Sequence, residues 1–235
     1  MHLAISPISF RSDFSGNIPE KDKTSSSKEK TVAVLGSSSS PDEIYDRLQA
    51  ASLGDEARDK AVDDMLAYMD LCSKSTEALV KSGKNLVHGC GSKGIMGVTY
   101  ESGANYSRKD ENGKPVQNLA IIAGWPDEDT DRCVVLGKAN NEADRIGKFA
   151  QVADTMLIFP GGTGTLQEAA TFISNNHYGK PEDRRKVVLV GKEFFKGLTE
   201  QYDTLYKSGL INCPPEDLFT VVDTEEEILD LINNK

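Results

Sequence analysis

The sequence predicts an α/β protein: one Rossmann-like, doubly wound domain whose parallel sheet of about seven strands is flanked by helices. Three observations carry that expectation. From Thr31 onward, short β-branched runs alternate with longer amphipathic segments. Most of those runs are apolar throughout, as parallel strands covered on both faces are. The chain's 235 residues suit one large α/β domain or at most two small ones.

In chain order, residues 1–30 come first: polar, rich in Ser and Lys, and without periodicity. They lack the apolar core of a secretory signal, and their Asp and Glu residues argue against an organelle transit peptide. They read as a mobile arm ahead of a domain over 31–235. The predicted strands are TVAVLG (31–36), NLVHG (85–89), NLAIIAG (118–124), CVVLG (133–137), TMLIFP (155–160), KVVLVG (186–191) and FTVVD (219–223). The longest helical pattern runs from Asp55 to Gly83, with Ala61, Met65, Tyr68, Met69, Cys72 and Leu79 able to share one stripe. Gly83 supplies its stop. Further helices begin near Gly94, Asn140, Thr165, Glu193 and Thr224, and the polar segment 107–117 reads as a surface loop.

Composition removes several functions. A net charge of -10 and a pI near 4.9 give a field that repels polyanions, so neither nucleic acid nor an anionic membrane is an expected partner. No apolar run approaches the roughly 18 residues that a membrane span needs. Cys72, Cys90, Cys133 and Cys213 are scattered, none in a C-x-x-C pair, and His2, His88 and His177 complete no ligand cluster. Four reduced thiols in a cytoplasmic protein, with no metal and no cofactor, is the expectation.

Three strand ends are rich in small residues: GSSSS (36–40), GCGSKGIMG (89–97) and PGGTGTLQE (160–168). Ligands of open parallel sheets sit where such loops gather. Gly89, Gly91 and Gly94 have the G-x-G-x-x-G spacing of a dinucleotide site, but the acidic residue expected about 20 positions on would fall in the polar loop near Asp110 and Glu111. NAD is therefore the weaker reading. In the third loop, Gly161, Gly162 and Gly164 let backbone amides approach a ligand, and the next helix aims its free N–H groups at the same point. A phosphate fits there, with the Thr165 hydroxyl as a further donor. No Gly-Lys-Ser/Thr follows, so this is not a triphosphate-hydrolysing loop. Glu168, read as lying in the first turn of that helix, could be a plain dipole partner. A carboxylate beside a phosphate is repelled by it, which tilts the reading toward chemistry.

PGGTGTLQE resembles the P-G-G-x-G-T-x-x-E signature of the LOG family, cytokinin riboside 5′-monophosphate phosphoribohydrolases long mislabelled lysine decarboxylases. GCGSKGIMG is similar to that family's second glycine segment and VAVLGSSS to its first strand and turn. Arg145 stands fifteen residues before Pro160, as the family's arginine does. The resemblance spans about residues 31–230. It implies a metal-independent N-glycosidase that releases free base and ribose 5-phosphate from a nucleoside 5′-monophosphate. Glu168 would act on the sugar and Arg145 would clamp the carboxylate, phosphate or base. Gly36, Ser37, Gly161, Gly162, Gly164 and Thr165 would hold the phosphate. Gly91, Gly94 and Met96 would form the base and ribose pocket. A small-molecule nucleotide is the implied partner and a homo-oligomer, dimer or larger, the implied assembly. Departures are Ile146 for the family's lysine, Cys90 for a glycine, and Thr163 at a position often aromatic. Molybdenum cofactor carrier proteins resemble the same enzymes and supply the alternative, a binding protein without turnover. Amino-acid decarboxylation would need a pyridoxal-binding lysine that the sequence does not offer.

Overall fold

Seven β-branched segments form seven parallel strands: β1 (Thr31–Leu35), β2 (Asn85–His88), β3 (Asn118–Ile122), β4 (Val134–Lys138), β5 (Thr155–Ile158), β6 (Lys186–Val190) and β7 (Thr220–Val222). The computed structural model describes residues 31–126 and 128–233; the expected arm over 1–30 lies outside them. Strand order is β4-β3-β2-β1-β5-β6-β7. The order reverses between β1 and β5, so the loops leaving these two neighbours diverge and leave a crevice at their carboxyl ends.

Every central strand is apolar on both faces because helices cover both. Val32 and Val34 of β1 face Met65, Cys72 and Leu79 of α2 (Asp55–Lys81), together with α3 (Gly94–Tyr106) and α7 (Glu225–Asn233). Ala33 and Leu35 point the other way, into a layer with Phe149 of α4 (Glu142–Val152), Phe172 of α5 (Thr163–Tyr178) and Phe195 of α6 (Lys192–Lys207). Ile146, where the family has lysine, is buried in that second layer. A position facing this core takes an apolar side chain at no desolvation cost.

One helix, α1 (Pro41–Ala50), falls where only an additional stretch before the long helix is legible in the sequence. Ser40 and Glu43 close a capping box at its start, with Pro41 in the first helical position. None of its residues is fully buried and only Ile44 packs in part against the core, so its apolar signal is thin. The polar segment 107–117 is a loop, pinned by the Asp110 carboxylate accepting from the amides of Asn112 and Lys114. Among the described residues no helix is long and apolar enough to cross a membrane.

Gly94 sets how closely α3 approaches the first strand's turn. Its φ is +57°, and a Cβ there would lie 2.5 Å from the Ser39 carbonyl oxygen and 2.6 Å from that of Ser37. Both are main-chain atoms that cannot swing aside. Gly94→Ala should therefore destabilise the fold by about 1–3 kcal/mol, read as a lower midpoint in chemical denaturation. An unchanged midpoint would mean that this contact is loose.

Candidate functional site

The crevice at the β1/β5 switch point is built from two tied loops. The Ser37 amide donates to the Pro160 carbonyl at 3.0 Å, and the Met96 amide to the Ser37 carbonyl at 3.2 Å. Gly36 lies so close to α3 that a Cβ would reach Ile95 at 2.7 Å. A Cβ on Gly161 would strike the Thr165 side chain and lie 2.9 Å from the Ser37 nitrogen. These close approaches draw the first turn against the start of α5. Gly162 and Gly164, by contrast, border open space. With Gly162 as N-cap and no side chain capping the helix, the leading amides of α5 have no carbonyl partner within it. Thr163, Gly164 and Thr165 line a cavity of about 220 Å³, together with Ser37, Ser38 and Ser39. Free amides and a helix's positive end favour an anion.

Arg145 enters the same cavity from α4 and is only 3% exposed. Its Nε donates to the Ile121 carbonyl at 3.3 Å and its Nη2 to the Gly89 carbonyl at 2.7 Å. A Cβ on Gly89 would collide with the guanidinium, so a side chain there would have to displace Arg145. Trp125 covers the guanidinium face at 4.6 Å from its ring centre. The loop carrying Trp125 is held by the Glu128 carboxylate, which accepts from the amides of Ala123, Gly124 and Trp125. The remaining Arg145 edge, Nη1, lies 3.9 Å from Glu142 Oε2, one helical turn earlier.

Glu168 lies across the cavity on α5 and is 8% exposed. Among the described residues, no cation stands within 4 Å of its carboxyl group and no hydrogen bond to it is formed. Burial first, and then the neighbouring Glu142 charge, push its pKa up to about 8 against the opposing pull of Arg145. The free protein therefore holds Glu168 largely as the neutral acid at neutral pH.

Of the residues singled out from the sequence, the cavity gathers Glu168, Arg145, Gly36, Ser37, Gly162, Gly164, Thr165 and Met96. Gly161, Gly91 and Gly94 do not line it. Gly161 and Gly94 are packing positions between the turns, and Gly91 lies against the Met96 side chain. Glu168 sits in the second turn of α5 rather than the first, because the helix starts at Thr163. Glu142, Trp125 and Phe149 also line the cavity and carry no sequence motif, and Gly89, the first glycine of the G-x-G-x-x-G spacing, lines it as well. His88 is buried, its Nδ1 accepting from the Cys90 amide and its Nε2 facing Asn118 Oδ1 at 2.7 Å. Burial lowers its pKa to about 4, leaving it neutral. Cys90 takes a left-handed φ of +61°, the conformation a glycine would adopt without strain.

Fold and site together define a doubly wound α/β protein whose switch-point crevice joins a helix start with free amides to a buried acid. The family model described as "Possible lysine decarboxylase" matches residues 87–232, and the chain belongs to this family, the LOG family. Over 155 residues the chain is 26% identical to a protein of Oryza sativa subsp. japonica, "Probable cytokinin riboside 5′-monophosphate phosphoribohydrolase LOG4". That match covers 64% of this chain and 63% of the rice protein. Among solved structures, the molybdenum cofactor binding protein of Rippkaea orientalis superposes with a TM-score of 0.52 at 14% identity, covering 86% of this chain and 93% of that one. The molybdenum cofactor carrier protein of Chlamydomonas reinhardtii gives 0.51 at 13% identity, covering 87% and 98%. These two likenesses establish the shared fold.

The raised pKa has a consequence for stability. Between the ordinary glutamate value and about 8, only the folded chain keeps the Glu168 proton, so this group's contribution falls as pH rises through that window. Within it the slope is at most ~1.4 kcal/mol per pH unit. Glu168→Gln should remove this loss, so the variant's melting temperature gains on that of the wild type from pH 5 to pH 9. Parallel curves would place the carboxyl in a solvated setting.

Proposed function

We propose that this protein hydrolyses the N-glycosidic bond of a nucleoside 5′-monophosphate, releasing free base and ribose 5-phosphate. One observation carries the reading: a buried carboxyl without a cation partner lines the same small cavity as the free amides at the start of α5. Left unpaired, a buried acid lowers stability, and such groups concentrate at functional sites. Family membership and the similarity to the rice protein support the same reaction class.

In this account the 5′-phosphate rests on the amides of Thr163, Gly164 and Thr165 and on the Ser37 turn. That places the ribose beside Glu168 and the base toward Met96, Trp125 and the Arg145 guanidinium. As the C1′–N bond lengthens, positive charge grows on the sugar, and an anionic oxygen beneath it lowers the barrier. A cavity of about 220 Å³ is small beside the ~300–1,000 Å³ typical of ligand sites, which suits ribose phosphate inside with the base at the mouth. An adenine with an N6-isoprenoid tail is the finer substrate assignment, since such a tail would extend outward over Met96 and Trp125.

The rival reading is a carrier on the same scaffold, favoured by the loss of the family's lysine to Ile146. Incubation with AMP and N6-isopentenyladenosine monophosphate separates the two: free base appears if the protein is a hydrolase. No base at high protein concentration, with tight pterin binding, overturns hydrolysis. Glu168→Gln should lower kcat by ~10²–10⁴ while nucleotide affinity stays within a few-fold. An unchanged kcat would remove Glu168 from the mechanism.

A further inference from the structure

The cavity contains a second acid that no motif marks. Glu142 opens α4, its side chain is 29% exposed, and its Oε2 faces Arg145 Nη1 at 3.9 Å. The other guanidinium nitrogens are committed to the carbonyls of Ile121 and Gly89, and its face to Trp125. Arg145 is thus a fixed cation with one edge left, and that edge is turned to Glu142. Glu168, deeper in the same cavity, has no cation of its own. Two carboxyl groups, one of them buried, and one immobilised guanidinium share this pocket. Full ionisation would leave an excess negative charge there, so one proton stays.

We propose that Glu142 is a positioning residue that, through Arg145, keeps this proton on Glu168, and that Glu168 delivers it to the departing base. The proposal rests on the N-glycosidase reading above. Glu168 donates its proton to a base nitrogen as the C1′–N bond breaks and its electron pair leaves with the base. The resulting carboxylate faces the oxocarbenium ion. Water then adds to C1′ and gives its proton to that carboxylate, restoring the acid. One water is consumed, and a free base and ribose 5-phosphate are formed.

Few other charges can interfere. From α4 only Glu142 and Arg145 face Glu168. The β1 turn contributes the hydroxyls of Ser37, Ser38 and Ser39. β5 and β6 are apolar beside α5, and Lys186 stands at the far, amino end of β6. Glu128 is occupied by the amides of its own loop. Lys93, near the α3 start, pairs with Glu43.

The test is a ¹³C NMR titration of glutamate-labelled full-length protein, with the Glu168 signal assigned by its loss in Glu168→Gln. Wild type, Glu142→Gln and Glu142→Asp are compared, with circular dichroism to confirm folding. Glu142→Gln should move the Glu168 midpoint down by ~1 pH unit, whereas Glu142→Asp, which keeps the charge, should move it much less. The alkaline limb of kcat against pH should shift with it, giving about a twofold loss at pH 7 and nearly tenfold at pH 9. An unmoved midpoint in folded Glu142→Gln overturns the proposal and leaves Glu142 as a helix-dipole partner. A moved midpoint with an unmoved kcat limb overturns proton delivery. If the wild type releases no base from any nucleotide, the functional reading fails, yet the titration still decides whether Glu142 holds the proton.

Discussion

Everything about the site follows from an imbalance of charge around a buried acid. Among the described residues Arg145 is the one cation lining the cavity, and its guanidinium is already held by two main-chain carbonyls and an indole face. It therefore cannot swing across to neutralise Glu168. A carboxyl group shut away from water without such neutralisation stays protonated until something changes around it. A cationic sugar would be that change. The acid becomes worth most as an anion at the moment positive charge develops beside it, which is the differential stabilisation that catalysis needs.

The fold produces this arrangement by bringing a free helix start and a buried acid to one crevice. Strand order reverses between β1 and β5, so the crevice exists before any side chain enters it. Main-chain amides at the start of α5 are left without partners in the helix, so an anion could rest there without a lysine. Helix α4 approaches from beyond β3 and brings Arg145 and Glu142 one turn apart, so both point at the same wall. The glycines act mostly by proximity. Gly89 makes room for the guanidinium, and Gly36, Gly94 and Gly161 let the turns interlock.

Much of this was legible in the residues alone. The central strands stand out because burial on both faces demands continuous apolar runs, and TMLI or KVVLV can hardly be anything else, whereas the edge strands β4 and β7 are only partly buried. PGGTGTLQE declares both the amide-lined helix start and the acid that follows. What stayed hidden lacks local pattern. Helix α1 buries little beyond part of Ile44, so its periodicity is weak, although its capping box at Ser40 and Glu43 was a usable signal. Glu142 looks like any acid at a helix start, and Trp125 like any loop aromatic. Only the placement of β3 beside β2 brings them to the cavity. Spacing likewise suggested that Gly91 and Gly94 formed a pocket wall, whereas their lack of a side chain serves packing instead.

The most direct test of the account is a crystal structure of the Glu168→Gln variant with AMP bound. The phosphate should sit on the amides of Thr163, Gly164 and Thr165, with C1′ within about 3.5 Å of the substituted side chain. A nucleotide bound elsewhere, or one lying with its base rather than its ribose against position 168, would contradict it.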